Sequence, residues 1–215
     1  MRVQLVRLLV LLSMVSMVVS CVYPSYPPTF DPDAPRQPVE CSQIIEDDLL
    51  DFPFNQLTWQ EAVQWVEKTY NIQPRTDLAA DEVTHYLKWE QGTRRYTVMV
   101  AADELIEGIA VSHDQNPPIV QEVLTCFGEP GFYEAFYDPT PDGPSYTTLQ
   151  LWYPARGLVF YGSVPSPLPT VDRRIPMRLI TYVDPNSETN NEALISWKLW
   201  PGDLENVVIN DRYKR

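Results

Sequence analysis

Val83-Thr84-His85-Tyr86-Leu87-Lys88-Trp89-Glu90, then Gly92, then Tyr96-Thr97-Val98-Met99-Val100-Ala101, is the stretch that decides the fold. Leu87 and Trp89 alternate with Lys88 and Glu90, the period of a strand with one face buried. The second run is rich in β-branched residues, and the glycine between the two marks a turn. A third run, Leu105–Ser112, follows Asp103-Glu104. Three strands joined by short turns predict an antiparallel meander.

A helix precedes this meander. Thr58-Trp59-Gln60-Glu61 places a threonine three residues before a glutamate, the pattern of a capping box. Trp59, Ala62, Val63, Val66 and Tyr70 then form one apolar stripe. Pro74 limits the helix.

The same order follows again. Asn116 is expected as a cap, with Pro117 at the first helical position. Val120, Val123, Leu124 and Phe127 keep the helical stripe, and Gly128 and Pro130 stop it. Strands are expected at Tyr133–Tyr137, Thr147–Tyr153, Leu158–Ser163, Met177–Val183 and Leu194–Trp200, with a short element at Leu204–Ile209. Gln60–Val63 aligns with Gln121–Leu124, and His85–Trp89 with Thr148–Trp152, a repeat of about 60 residues. The fold class expected is therefore α+β. Short helices pack on antiparallel sheet as two tandem αβ units, at 41–115 and 116–215.

The N-terminal 40 residues read differently. Arg2 and Arg7 precede an apolar run, Leu8–Val19, and Ser20-Cys21 closes it. A charged start, a short apolar core and a small residue before the cut are the parts of a secretory signal. The run is shorter than the roughly 20 residues that a spanning helix needs. Val18-Val19-Ser20-Cys21 resembles the lipobox of bacterial lipoproteins. That resemblance implies a signal peptide at 1–20, acylation of Cys21 (palmitate among the acyl chains), and an extracytoplasmic domain anchored in the cell envelope. Residues 22–40 hold six prolines among 19 residues. Such a segment favours extended polyproline II and reads as a tether, at about 3.1 Å per residue. Residues 21–40 are thus anchor and tether.

Val120–Val123 through Phe127-Gly128-Glu129-Pro130, followed by strands ending in Tyr153-Pro154 and Gly157–Phe160, resembles two known groups. These are the small envelope lipoproteins of the SmpA/OmlA (BamE-like) type and the tandem domains of the beta-lactamase inhibitor protein fold. The resemblance implies a non-enzymatic helix-on-sheet scaffold that binds through its sheet face. It transfers no binding residue.

Composition narrows the function classes. A formal charge of −13 opposes nucleic acid and anionic headgroups. Eight glycines and the absence of a phosphate-loop motif argue against nucleotide chemistry. His85 and His113 are the only histidines, too far apart and too poorly accompanied to read as a metal site. Asp138–Gly143 echoes the first half of a calcium loop but has Leu149 where the bidentate glutamate belongs. Glu46, Asp47, Asp48 and Asp51 cluster as a solvated acidic edge. No catalytic residue, metal or cofactor is expected. Cys41 and Cys126 pair in a disulfide if geometry allows; otherwise they are unrelated thiols. Trp89, Trp152 and Trp200, on strands, are the candidate contact surface. The expected role is non-catalytic binding of an envelope protein. The alternative is binding of a carbohydrate or small ligand.

Overall fold

The computed structural model describes residues 36–78, 84–101, 105–139, 144–166, 169–185 and 197–211. Two short helical turns, α1 (Cys41–Ile44) and α2 (Asp47–Leu50), lead to α3 (Trp59–Tyr70). Strands β1 (Arg75–Leu78), β2 (Thr84–Gln91), β3 (Arg94–Ala101) and β4 (Gly108–His113) follow. Then come α4 (Val120–Phe127), β5 (Phe132–Asp138), β6 (Tyr146–Tyr153), β7 (Leu158–Pro165) and β8 (Met177–Val183). Two-residue strands β9 (Lys198–Leu199) and β10 (Asn210–Asp211) complete the order.

All ten strands lie in one sheet, ordered β1-β2-β3-β4-β8-β7-β6-β5-β10, with β9 also on β5. Among the described residues only the β10–β5 pair is parallel. This corrects the expected fold class. The chain is sheet-dominated, and the two tandem helix-on-sheet units at 41–115 and 116–215 give way to one continuous sheet. The seam is β4 against β8, with Ala110 opposite Thr181 and Val111 opposite Ile180. The physical reason lies in β4 itself. Ile109, Ala110 and Val111 are all buried, so both faces of this strand are covered. A strand buried on both faces belongs inside a sheet, not at the edge of a small one.

The helices start where side chains supply what the backbone lacks. Thr58 Oγ1 accepts from the Glu61 amide, and the Glu61 carboxylate accepts from the Thr58 amide. That engagement holds the Glu61 carboxyl below its ordinary range. Helix α3 closes at Asn71, in the left-handed region at φ 54°. Helix α4 begins at Val120, after an Ile119 cap, later than expected from Asn116 and Pro117. Pro118 explains the delay, because the residue before a proline is disfavoured in helix. The Glu122 carboxylate then accepts from the Ile119 amide.

Both long helices cover the same face of the sheet. Ala62 and Val66 of α3, and Val120 and Val123 of α4, are buried against it. From the strands come Leu87, Trp89, Tyr96, Val98, Ile109, Val111, Leu151, Phe160, Ile180 and Tyr182. Strand β1 was not anticipated; all four of its residues are exposed. The expected strand at Leu105–Ser112 begins only at Gly108, because Ile106 bonds to the Asn55–Leu57 loop instead. Of the expected Leu194–Trp200 strand, 194–196 lie outside the described residues and Lys198–Leu199 pairs with β5. Leu204–Ile209 forms no strand, and Asp203 caps a turn through the Asn206 amide.

Candidate interaction surface

Trp89, Trp152 and Trp200 are not brought together. Trp89 is 4% exposed in the helix-side core and stacks on Tyr96 at 4.8 Å and 7°. Trp152, also 4% exposed, points to the opposite face, between Phe132 at 5.7 Å and Trp197 at 5.4 Å. Trp200 is half-buried and meets Tyr133 edge-on at 6.0 Å. Strand alternation separates Trp89 from Trp152.

The helix-free face has its own pattern. Register places Ala110 and Ser112 of β4, Leu179 and Thr181 of β8, Val159, Tyr161 and Ser163 of β7, and Thr148 and Gln150 of β6 on it. None of these residues is charged. Arg178, half-buried at the bulge where β7 and β8 change register, brings a cation to the end of this centre. Charge gathers on the flanks. On one side Lys88 meets Asp77 at 3.2 Å and Arg95 meets Asp114 at 2.7 Å, with Lys88 and Arg95 half-buried and the two aspartates exposed. On the other, Glu134 of β5 lies opposite Gln150. Of this centre Ala110, Ser112, Thr148, Gln150 and Leu179 are buried, and Val159, Tyr161 and Ser163 of β7 with Thr181 of β8 are half-buried, so the part that reaches solvent is an uncharged row along β7 and β8.

The remaining candidates serve structure. Cys41 and Cys126 are joined, with Cα atoms 5.4 Å apart. Glu46 of the acidic cluster is committed to Arg94, whose guanidinium also donates to the Gln43 carbonyl. Tyr182 Oη accepts from the Glu46 amide at 2.7 Å. Burial pushes the Tyr96 and Tyr182 phenols well above their ordinary range. His85 stacks on Trp59 at 4.3 Å. His113 is 7% exposed; burial first, and then the neighbouring Arg94, lower its pKa to about 4, against the opposing pull of Asp114. Arg94 and the bonds around it escaped the sequence reading, although its place opposite His113 follows once β3 and β4 are in register. Among the described residues no three His, Cys, Asp or Glu side chains gather as a metal site. Asp138 ends β5, and residues 140–143 of the calcium-like loop lie outside the described residues, as do Cys21 and the expected signal segment at 1–20.

A cleft of about 260 Å³ lies between Leu49, Leu50 and Phe54 on one side and Arg156, Leu158 and Val183 on the other. It falls short of the roughly 300–1,000 Å³ typical of small-molecule sites. No helix among the described residues is long and apolar enough to cross a membrane. No protein-family model, curated protein or solved structure matches the chain.

Proposed function

We propose that this is an extracytoplasmic lipoprotein, anchored through Cys21, whose folded part binds an envelope protein without catalysing a reaction. The observation that carries the reading is the uncharged centre of the helix-free sheet face. Protein interfaces are depleted of charge at their core and polar at their rim, and the half-buried, uncharged row Val159, Tyr161 and Ser163 of β7 with Thr181 of β8 fits such a core. The partner's complementary surface is neutral at its centre, with cations toward the Glu134 flank, because the chain carries −13 overall. A carbohydrate binder would need an exposed ring beside a groove, whereas Trp89 and Trp152 are each 4% exposed.

Photo-crosslinking in native membranes tests this. A crosslinker at Ser163 should yield one protein adduct, and one at Gln64 on the exposed side of α3 should yield none. Thr181→Arg should abolish the Ser163 adduct while leaving the melting temperature unchanged. Equal labelling from both positions, or an adduct indifferent to Thr181→Arg, would remove the sheet face as the binding surface. The anchor has a separate test. Cys21→Ser should move the protein out of the membrane fraction and lower its mass by the acyl groups; a variant that stays membrane-bound at unchanged acylation sinks the lipobox reading.

A further inference from the structure

We propose that the Cys41–Cys126 disulfide is a redox-set stop on the tether: a dithiol reductant releases residues 36–42 from α4 and lengthens the reach of the domain without unfolding its sheet. The inference uses the tether reading of residues 21–40 and is independent of the partner reading.

The junction is attached in two tiers. The outer tier is a short zipper along α4. Arg36 pairs with Glu122 at 3.0 Å and donates to the Pro117 carbonyl at 2.8 Å. The Val39 amide donates to Glu122, and Asn116 donates to the Gln37 carbonyl. These bonds are exposed or half-buried, and such contacts contribute little individually against the freedom of the chain. The disulfide ends this tier and turns it into a fixed attachment. The inner tier is different in kind. Ile44 and Leu49 are fully buried, Gln43 and Glu46 are held by Arg94, and the Glu46 amide is held by Tyr182. None of these contacts depends on the bridge. Once the bridge opens, residues 36–42 keep only the zipper, the edge packing of Val39 and the local Glu40–Gln43 capping bonds, and the release stops at Gln43.

The chemistry balances with a protein dithiol as reductant. Cys41 is exposed, whereas Cys126 packs on the core. A thiolate of the reductant attacks the Cys41 sulfur, forming a mixed disulfide and expelling the Cys126 thiolate, which takes up a proton. The second thiol of the reductant resolves the mixed disulfide. Cys41 and Cys126 end as thiols, and the reductant ends as a disulfide, having supplied two electrons and two protons. Seven released residues add about 20 Å of reach at roughly 3.1 Å each.

Hydrogen exchange with mass-spectrometric readout tests the proposal on the full chain, oxidised and after dithiothreitol. Exchange at amides within 37–42 should rise on reduction to nearly the rate of an unfolded chain, while peptides from β3 and β7 lose only the protection that the lower global stability removes and stay far slower than 37–42. Small-angle scattering should show the largest dimension growing by about 20 Å, and reoxidation should reverse both changes. Cys126→Ser should reproduce the reduced behaviour without reductant, and Glu122→Gln should leave 37–42 protected in the oxidised protein. Unchanged exchange at 37–42 on reduction would mean that the zipper alone holds the junction. Loss of protection throughout β3 and β7 would mean that the bridge holds the fold, not the reach. Either result overturns the proposal, and neither bears on the sheet face.

Discussion

His113 carries a pH dependence that can be worked out in sign. Its folded pKa, about 4, lies below the ordinary 6.5. As pH falls, the unfolded chain takes up the proton first, so the unfolded state gains. The stabilisation from keeping this imidazole neutral is whole above about pH 6.5 and declines progressively toward pH 4. A shift of that size corresponds to about 3 kcal/mol over the window. Urea midpoints at pH 7 and pH 5 should therefore diverge, and His113→Gln should narrow the gap. Gly157 makes a second prediction at this scale. Its φ is +62°, and a Cβ there would stand 2.1 Å from the Val183 carbonyl oxygen. Gly157→Ala should cost about 3 kcal/mol or more, seen as a lowered urea midpoint, because the obstacle is backbone and not a movable side chain. Neither effect was legible in the sequence, where His113 read only as one of two histidines too sparse for a metal site and Gly157 as part of a motif. Each depends on what β3 or β8 lays against it.

Elements were legible where one side of each faced the core. The α3 stripe and its capping box stand as read, and β8 matches Met177–Val183 to the residue. Thr58→Ala should lower stability by about 1 kcal/mol, measured as a shift in thermal midpoint. What the sequence hid were elements with no apolar signature, such as β1, exposed on all four residues. The start of α4 was hidden by a rule competing with the proline-first preference. The disulfide is an element-scale matter too. It closes a loop across a sequence separation of 85, which the chain-entropy model values at about 4 kcal/mol. Replacing both cysteines with serine should lower the urea midpoint accordingly while leaving the far-ultraviolet circular dichroism of the sheet in place.

At the scale of the molecule, the strand order could not be read from strands alone. The meander of β2 to β4 and that of β5 to β8 are local; turn signals announced the first, and strand runs the second. The join of β4 to β8 is not local, and only the unbroken apolar run Ile109-Ala110-Val111 hinted at it. The candidate surface suffered most from this. Trp89 and Trp152 correspond in the repeat, yet they face opposite sides of the finished sheet, and the neutral patch on β4, β8, β7 and β6 exists only after the meanders merge. The seam also sets an order of events in folding. Strand β4 pairs on one edge with β3, a near neighbour, and on the other with β8, the last long strand to be made. Contacts between distant parts of a chain form slowly. Until β8 arrives, the first meander presents an open and apolar strand edge, the kind of template that recruits other chains. A chain made N-terminus first spends that interval exposed, so refolding yield should fall with rising protein concentration, and a chain truncated before Met177 should aggregate where the whole chain does not.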